Sequence, residues 1–277
     1  MMRSLFAAIS GLSVHQTMLD VTANDIANVN TVGFKGDRIS FQDALSQLQR
    51  GGSDSSATLG GTNPEQIGLG VQVGAITSQM TGGAIQSTGN PLDVAIQGNG
   101  WFRVAAGAAG GGLSATPLYT RAGNFSTDSL GNLVTEDGMF VVGQPVGGGA
   151  DEKITIPAGA KSISIDQSGV VSYVDGTTGV TTQLAQISLA KFANDAGLER
   201  VSATKFQASA ASGPETAGIV GDTNGFGTLA PGSLEMSNVD LAQEFTNMIT
   251  AERGFQANSR VISTADQILQ DLVNLGR

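Results

Sequence analysis

The sequence predicts an α+β protein in which a mainly β middle domain lies between two terminal α-helices that pair in a coiled-coil-like domain. Three patterns predict this fold: an apolar repeat of seven near each end of the chain, and an apolar alternation of two between them. Since the two helices come from opposite ends of a chain of 277 residues, the helical domain is expected to be discontinuous.

The C-terminal stretch 238–275 is predicted to be one long helix, because no proline interrupts its heptad pattern. At about 1.5 Å per residue this helix is roughly 55 Å long, so its partner is expected outside an ordinary compact core. Ser237 or Asn238 is expected to cap its start, with Asp240 in the first turn and Gly276 marking its end. The apolar positions of its heptad seam are Leu241, Met248, Phe255, Ile262, Leu269 and Leu272, with Ala251 and Ala265 between them.

The N-terminal helix is predicted over residues 4–29, where a second heptad pattern occurs. Asn30 and Gly33 then favour a turn, since both residue types adopt left-handed backbone conformations readily. Periodicity alone also fits two ordinary amphipathic helices packed on a globular core. The heptad positions of this helix are Leu5, Leu12, Leu19 and Ile26, with Ile9 and Ala23 in intermediate positions.

Between the helices, the apolar period changes from helical to two, which predicts short antiparallel strands separated by glycine-containing turns. A weak helical spacing over residues 39–48 and a polar, glycine-rich run over 51–63 precede these strands and predict a linker or mobile insertion. The predicted domains are residues 1–36 plus 232–277 for the helical domain, 37–68 for the linker, 69–207 for the β domain and 208–231 for an extended connector.

The composition offers little material for catalysis or cofactor binding. Cysteine is absent and His15 is the single histidine, which excludes zinc sites of the usual ligand types and Ser-His or Cys-His nucleophile pairs. The aspartates Asp128, Asp137, Asp166 and Asp175 occur next to or near turn glycines and are interpreted as turn residues, with a glycosidase-type acid pair as the less favoured alternative. The sequence therefore predicts no enzyme activity and no cofactor.

The charge and hydropathy patterns also limit the partners. A net charge of −10 argues against nucleic acid, because binding to phosphates depends on clustered Lys and Arg. No apolar run is long enough to span a membrane, and the apolar start of the chain lacks a convincing signal-peptide cleavage site. We therefore expect the N-terminal helix to be retained.

Two stretches at the ends of the chain resemble the terminal signatures of bacterial flagellar rod and hook proteins. The first is residues 19–35, which read LDVTANDIANVNTVGFK, and the second is residues 234–258, which begin LEMSNVDL and continue through MITAERGFQAN. Residues 92–102, LDVAIQGNGWF, are similar to the segment where these proteins enter their first β domain. The residues that carry the terminal resemblance are Asn24, Asn28, Thr31, Gly33, Phe34, Ser237, Asn238, Val239 and Asp240.

The resemblance implies a structural subunit that self-assembles helically through its terminal helices, with no catalytic residues. Residues 267–275 and 68–71 look more like the hook protein, a flexible torque-transmitting tube, than the distal rod protein, a stiff shaft. The length of the chain fits the distal rod protein, which is the alternative to the hook interpretation. A secreted β-rich binding protein is a remote further alternative. The implied partners are other copies of the chain, the neighbouring axial proteins (the rod, the hook–filament junction and the hook cap) and the flagellar type III export apparatus.

Overall fold

The computed structural model contains two compact units, each built from separated parts of the chain. The unit called here the helical unit comprises Met1–Ala27, Asp37–Ser78 and Asp240–Arg277, and the unit called the β unit comprises Asn28–Gly36 and Gln79–Val239. The residues that the structure describes are 2–54, 60–107, 112–114, 116–202, 204–221 and 225–275.

Two long helices, α1 (Met2–Ala27) and α2 (Leu241–Leu275), form the main body of the helical unit. They run antiparallel, because Gly11 lies against Asn258 whereas Gly254, earlier in α2, lies against the ring of His15, later in α1. A Cβ atom at Gly254 would lie 2.4 Å from the His15 ring, so glycine permits this close approach. Both predicted helices are confirmed, with bounds that differ by two or three residues.

The start of α2 is capped by Asp240, not by Ser237 or Asn238 as predicted. The Asp240 Oδ1 atom accepts hydrogen bonds from the backbone N–H groups of Ala242 at 2.9 Å and Gln243 at 3.4 Å. These bonds satisfy two of the donors that a helix start leaves free, and the carboxylate also suits the positive end of the helix dipole. The end signal predicted at Gly276 lies outside the described residues.

Four strands complete the described part of the helical unit, and three of them lie in the segment 37–68 that was predicted to be a linker or mobile insertion. Strand β1 (Asp37–Asp43) pairs antiparallel with β4 (Val71–Ser78), and β2 (Ser46–Arg50) pairs with β3 (Glu65–Gly68). The helical spacing inferred over residues 39–48 is therefore wrong. Ile39 and Phe41 alternate along β1 opposite Ile76 and Val73, so their spacing is that of a strand. Residues 55–59 of the predicted loop lie outside the described residues.

The described residues of the β unit form sixteen short strands, most of them in one sheet. Its central path runs β13-β14-β15-β11-β7-β8-β17-β16, all neighbours being antiparallel; β10, β12 and β18 join it at the side, with β9 paired to β10. Separate pairs are β5 with β20 and β6 with β19. The strands are β5 (Ile85–Ser87), β6 (Val94–Gln97), β7 (Trp101–Ala105), β8 (Leu118–Thr120), β9 (Phe125–Thr127), β10 (Leu133–Thr135), β11 (Phe140–Pro145), β12 (Glu152–Lys153), β13 (Ala160–Ile165), β14 (Val170–Asp175), β15 (Thr181–Lys191), β16 (Glu199–Ser202), β17 (Lys205–Gln207), β18 (Thr216–Ile219), β19 (Thr228–Pro231) and β20 (Ser233–Glu235).

Two apolar clusters form the core of the β unit. The larger one gathers inward-facing residues of strands β6 to β19, including the fully buried Phe102, Leu133 and Ile187. The smaller one surrounds Trp101, whose ring packs edge-to-face on Phe206 with centroids 5.0 Å apart. The unit therefore has its own core, as the period-two pattern predicts.

The ends of the β unit differ from the predicted domain bounds. The segment 208–231, predicted as an extended connector, contains β18, which pairs with β15, and β19, which pairs with β6 and buries Leu229. Residues 222–224 of this segment lie outside the described residues. The segments 28–36 and 232–239 belong to the β unit instead of the helical one. Their backbone hydrogen bonds, described below, account for this placement.

Candidate assembly site

The predicted heptad seam of α1 is only partly covered in the subunit. Leu5, Leu12, Leu19 and Ile26 are all half-buried, and the intermediate positions Ile9 and Ala23 are exposed. The fully buried positions of α1 carry mostly small and polar residues instead, several of which again recur in heptads. These residues are Ala8, Gly11, Thr22 and Asp25, with the half-buried His15 between them, and the apolar Val14 is buried as well.

The corresponding face of α2 is also lined with small residues. Ala251 and Ala265 are its fully buried positions, and Gly254 and Asn258 contact α1. The larger seam residues are less covered: Met248, Phe255 and Ile262 are half-buried, while Leu241, Leu269 and Leu272 are exposed. The helices thus meet through small side chains, and the large apolar ones remain accessible.

The last turns of α2 extend past the start of α1. Met2, the first residue of α1, lies nine positions before Gly11, and nine positions beyond Asn258 the chain reaches Gln267. The residues from about Gln267 onward, called here the α2 overhang, therefore have no partner on α1. The overhang exposes the large apolar residues Ile268, Leu269, Leu272, Val273 and Leu275.

Exposed large apolar side chains are concentrated in the helical unit. Among the described residues, the β unit exposes Ile85, Leu130, Val146, Val180 and Val201. The helical unit exposes many more, both on its helices and on its strands, and such density marks surfaces that bind other proteins. Outside the overhang these are Phe6, Ile9, Phe41, Leu45, Leu48, Ile67, Leu69, Ile76, Leu241, Phe245, Ile249 and Val261.

The N-terminal signature residues form a tight turn that enters the β unit, except for Asn24, which lies exposed on α1. Thr31 donates its hydroxyl hydrogen to Asn28 Oδ1 at 3.1 Å, and the Phe34 N–H donates to the Thr31 carbonyl. Gly33 has a positive φ of 68°, and its N–H donates to the Glu235 carbonyl at 2.8 Å. The turn predicted after the first helix is confirmed.

The C-terminal signature residues bond to the other segments of the β unit. Asn238 Oδ1 accepts from the Gly36 N–H at 2.9 Å, while its Nδ2 donates to the Gln79 carbonyl at 2.8 Å. Ser237 Oγ accepts from the N–H of Val239 at 3.3 Å, which turns the chain just before the Asp240 cap. These residues therefore direct the backbone, and none forms a reactive group.

A buried cluster of three charges lies beside these signatures. Glu235 pairs with Lys35 at 2.7 Å and with Arg121 at 3.2 Å, and all three side chains are almost fully buried. Burial lowers the pKa of Lys35, and the adjacent Glu235 carboxylate opposes that shift. Sequence reasoning missed this cluster, although Lys35 and Glu235 both lie inside the quoted signatures, because Lys and Glu are usually solvated.

The four aspartates considered as turn residues, Asp128, Asp137, Asp166 and Asp175, all lie in or directly beside turns. Asp128 Oδ1 accepts from the N–H groups of Leu130 and Asn132, and Asp175 Oδ1 accepts from Thr177. A side-chain hydrogen bond from Asn132 is the main cause of the lowered pKa of Asp128. Asp137 lies in the turn closed by the bond from the Gly138 N–H to the Thr135 carbonyl, and it also forms an ion pair with Lys205.

The described residues contain no arrangement suited to catalysis by metal or histidine. No group of three or more His, Cys, Asp or Glu within them could hold a metal ion. The His15 ring packs edge-to-face on Phe41 and covers Gly254, which is a packing role. A cleft of about 340 Å³ in the β unit is lined mainly by Thr, Asn and charged side chains, with Val32 and Ala122 as its apolar residues, and it lacks the aromatic lining that a ligand-binding cleft was expected to have.

Neither α1 nor α2 combines the length and hydropathy that a membrane-spanning helix requires, and the described part of the chain has no other candidate.

Three family models match the chain, one each in its N-terminal, middle and C-terminal parts. They are a flagella basal body rod protein model over residues 5–35, a flagellar hook protein FlgE/F/G D1 domain model over 95–173, and a flagellar basal body rod FlgEFG protein C-terminal model over 230–275. The chain belongs to the flagellar rod and hook protein family, so it is an axial structural protein of the bacterial flagellum.

Individual relatives separate the two branches of this family. The flagellar basal-body rod protein FlgG of Bacillus subtilis (strain 168) is 49% identical over 277 residues, covering 100% of both chains. FlgG of Caulobacter vibrioides is 44% identical over 273 residues, covering 97% of each chain. The flagellar hook protein FlgE of Borreliella burgdorferi is 28% identical over 448 residues, covering 99% of this chain and 100% of the relative. The hook interpretation favoured from sequence is therefore less supported than its rod alternative.

Proposed function

We propose that this protein is the distal rod subunit of the flagellum, which self-assembles helically into a stiff shaft that transmits torque. The observation that carries this proposal is the end-to-end similarity, without large insertions, to basal-body rod proteins. The segment 37–68 supports it as well. An ordered insertion there would lock neighbouring subunits together, and the segment contains three paired strands in place of the predicted linker.

The helical unit supplies the assembly surfaces in this proposal. We propose coiled-coil-like pairing of its helices, which is supported by the small residues buried between them, and large apolar side chains of both helices remain available to neighbouring copies. The predicted self-assembly seam then includes the half-buried and exposed heptad residues of both helices. A polymer that grows along an axis needs contacts between different surfaces of successive copies, because identical surfaces would close into a dimer.

The partners follow from the same proposal. They are other copies of this chain, the axial proteins that adjoin the rod at its two ends, and the flagellar type III export apparatus. The protein then resides in the basal body and acts without a cofactor. Terminal helices that pair through small residues bury little apolar surface within one subunit, so they are expected to stay unfolded before assembly. This suits export, because an unfolded chain enters a narrow channel more readily.

The test is assembly of the purified chain, followed by electron microscopy. We expect straight tubes; curved tubes would favour the hook interpretation, and failure to polymerise under any condition would refute both. Leu272→Asp places a charge in the apolar stripe of the α2 overhang and should abolish tube formation. Asn274→Asp adds the same charge to the same overhang away from the stripe, and it should leave assembly intact.

A further inference from the structure

The carboxylate of Glu235 joins three separate segments of the β unit. Its Oε1 atom accepts hydrogen bonds from Lys35 Nζ at 2.7 Å and from the Gly83 N–H at 2.9 Å. Its Oε2 atom accepts from Arg121 Nη1 at 3.2 Å. Lys35 belongs to the segment that precedes β1, and Gly83 to the segment that follows β4. One buried side chain therefore holds together three passes of the chain.

Asn238 repeats this arrangement three residues later. It bonds to Gly36 and Gln79, which belong to the same two segments, and its Nδ2 also donates to the Thr81 carbonyl at 3.2 Å. Backbone bonds add to it, since the Gln79 N–H donates to the Gly36 carbonyl at 2.7 Å and the Met236 N–H to that of Ala84 at 2.8 Å. The segments 33–36, 79–84 and 235–238 are called here the clasp.

The clasp is anchored to the core of the β unit through Arg121. The guanidinium of Arg121 donates to the Gly98 carbonyl at 3.0 Å and lies over the Trp101 ring, 5.3 Å from its centroid. Lys35 makes a second bond, to the Thr81 carbonyl at 2.8 Å. Glu235 thus neutralises two buried cations, and its replacement by a neutral residue would leave both without a counter-charge.

The position of the clasp along the chain gives it a further role. Its residues Gly36 and Gln79 lie next to Asp37 and Ser78, and Asn238 lies two residues before Asp240; at these three places the chain crosses from one unit to the other. We propose that Glu235 and Asn238 are positioning residues that fix these crossing points, and that the clasp is folded in the free monomer as part of the β unit. The limit between stable and assembly-dependent structure then lies at the crossings 27/28, 36/37, 78/79 and 239/240.

Hydrogen exchange on the wild-type monomer tests this directly. The clasp N–H groups with assigned acceptors include those of Gly33, Phe34, Gly36, Gln79, Gly83 and Met236. We expect their protection to match that of the β core strands. Clasp amides that exchange as freely as exposed loops in the monomer would overturn the proposal without recourse to any variant.

Variants separate positioning from general stability. Glu235→Gln keeps the size of the side chain but removes its charge, and it should lower protection of the clasp amides by at least about tenfold while core strand amides keep theirs. The matched control is Glu215→Gln, which removes a carboxylate bonded to Arg103 and Tyr119 inside the β unit and should leave the clasp amides protected. A uniform loss of protection across the β unit in Glu235→Gln, or no loss, would contradict the proposal.

A second variant covers the case in which Glu235→Gln does not fold. Asn238→Asp keeps the acceptor for the Gly36 N–H but removes the donors to Gln79 and Thr81. Faster exchange should then be confined to the clasp, and unchanged exchange there would contradict the proposal. Because these measurements use the monomer, they judge the clasp even if the chain fails to form tubes.

Discussion

Gly33 occupies a position where a side chain meets two obstacles at once. Its φ of +68° is unfavourable for other residues, and a Cβ atom would lie 2.5 Å from the Ala122 backbone nitrogen. Gly138 has a similar φ of +75° but open space around it, so a substitution there measures the cost of the positive φ alone. We expect Gly138→Ala to cost about 1 kcal/mol of unfolding free energy and Gly33→Ala about 3 kcal/mol, since the second must also displace backbone.

Urea denaturation followed by Trp101 fluorescence measures both variants in the same unit. Equal losses for Gly33→Ala and Gly138→Ala would show that the backbone at Ala122 yields without cost.

Asp166 illustrates how turn hydrogen bonds make stability depend on pH. Burial alone would raise the pKa of Asp166, but bonds from the Ser168 hydroxyl and from the N–H groups of Ser168 and Val170 lower it overall. A folded-state pKa below the unfolded value of about 3.9 stabilises the protein at neutral pH, and this stabilisation is lost as the pH falls through the folded pKa.

Asp166→Asn should therefore melt at a lower temperature than the wild type at pH 7, and the difference should shrink as the pH falls below the unfolded pKa of about 3.9. Asn retains an acceptor for the turn but does not titrate. Asp54→Asn, at an exposed residue of the helical unit, controls for the change in net charge. Thermal melts of the β unit across this pH range give the comparison, and a constant difference at every pH would contradict the expectation.

Single residues also show where sequence reasoning ends. Turn glycines and aspartates are recognisable because their function is local, as at Gly33 and Asp128. Lys35 and Glu235 are not recognisable in this way, since their pairing spans 200 positions of the chain. The hydropathy pattern does not reveal a buried ion pair. Only the terminal signatures that contain Lys35 and Glu235 indicate the segments in which this pair lies.

At the scale of elements, the heptad pattern predicted both helices but not the face by which they meet. Large residues such as Leu12 and Leu19 define the pattern, yet Ala8, Gly11 and Ala251 are the more deeply buried residues. Small residues allow close helix approach but carry little hydropathy, so they contribute weakly to any periodicity. The strands β1 to β3 were missed for a related reason, because most of their residues are exposed.

Phe255 tests the seam of α2 at this scale. Phe255→Asp should prevent tube assembly, because a charge in an apolar contact between subunits costs several kcal/mol. The β unit should remain folded, since it has its own core. Circular dichroism of the monomer and electron microscopy of the assembly check the two outcomes. Gln256→Asp, at the neighbouring exposed position, is the control, and normal tubes from Phe255→Asp would contradict the assignment of the seam.

At the scale of the molecule, we expect both helices to order fully only on assembly. They contain 26 and 35 residues, so ordering them costs roughly 90 kcal/mol at about 1.5 kcal/mol per residue. A contact lined by glycine and alanine returns little apolar burial within one subunit, and neighbouring copies would supply the rest at about 25 cal/mol per Å².

Hydrogen exchange compares the helices in the polymer and in the monomer. We expect the amides of residues 4–26 and 243–275 to be protected in the polymer and to exchange rapidly in the monomer. Protection of these amides in the monomer equal to that of the β core would show that the helix pair is stable alone.

The sequence predicted the order of terminal helix, β-rich middle and terminal helix, but it missed strands β1 to β3 and placed the domain limits differently from the structure. The predicted limits follow changes of period, whereas the observed limits follow hydrogen bonds such as that between Asn238 and Gly36. Bonds between distant segments have no period, so the sequence alone does not reveal them.

The hydrogen bond from the Gln79 N–H to the Gly36 carbonyl makes the segment 37–78 a separable module of the chain. The segment 37–78 leaves and re-enters the β unit at adjacent residues, so it behaves as an insertion whose two ends already touch. A loop of two or three residues would close that gap, and a chain of residues 28–239 shortened in this way should fold alone. We therefore expect that evolution can lengthen, replace or delete the segment 37–78 without changing the fold of the β unit into which it is inserted.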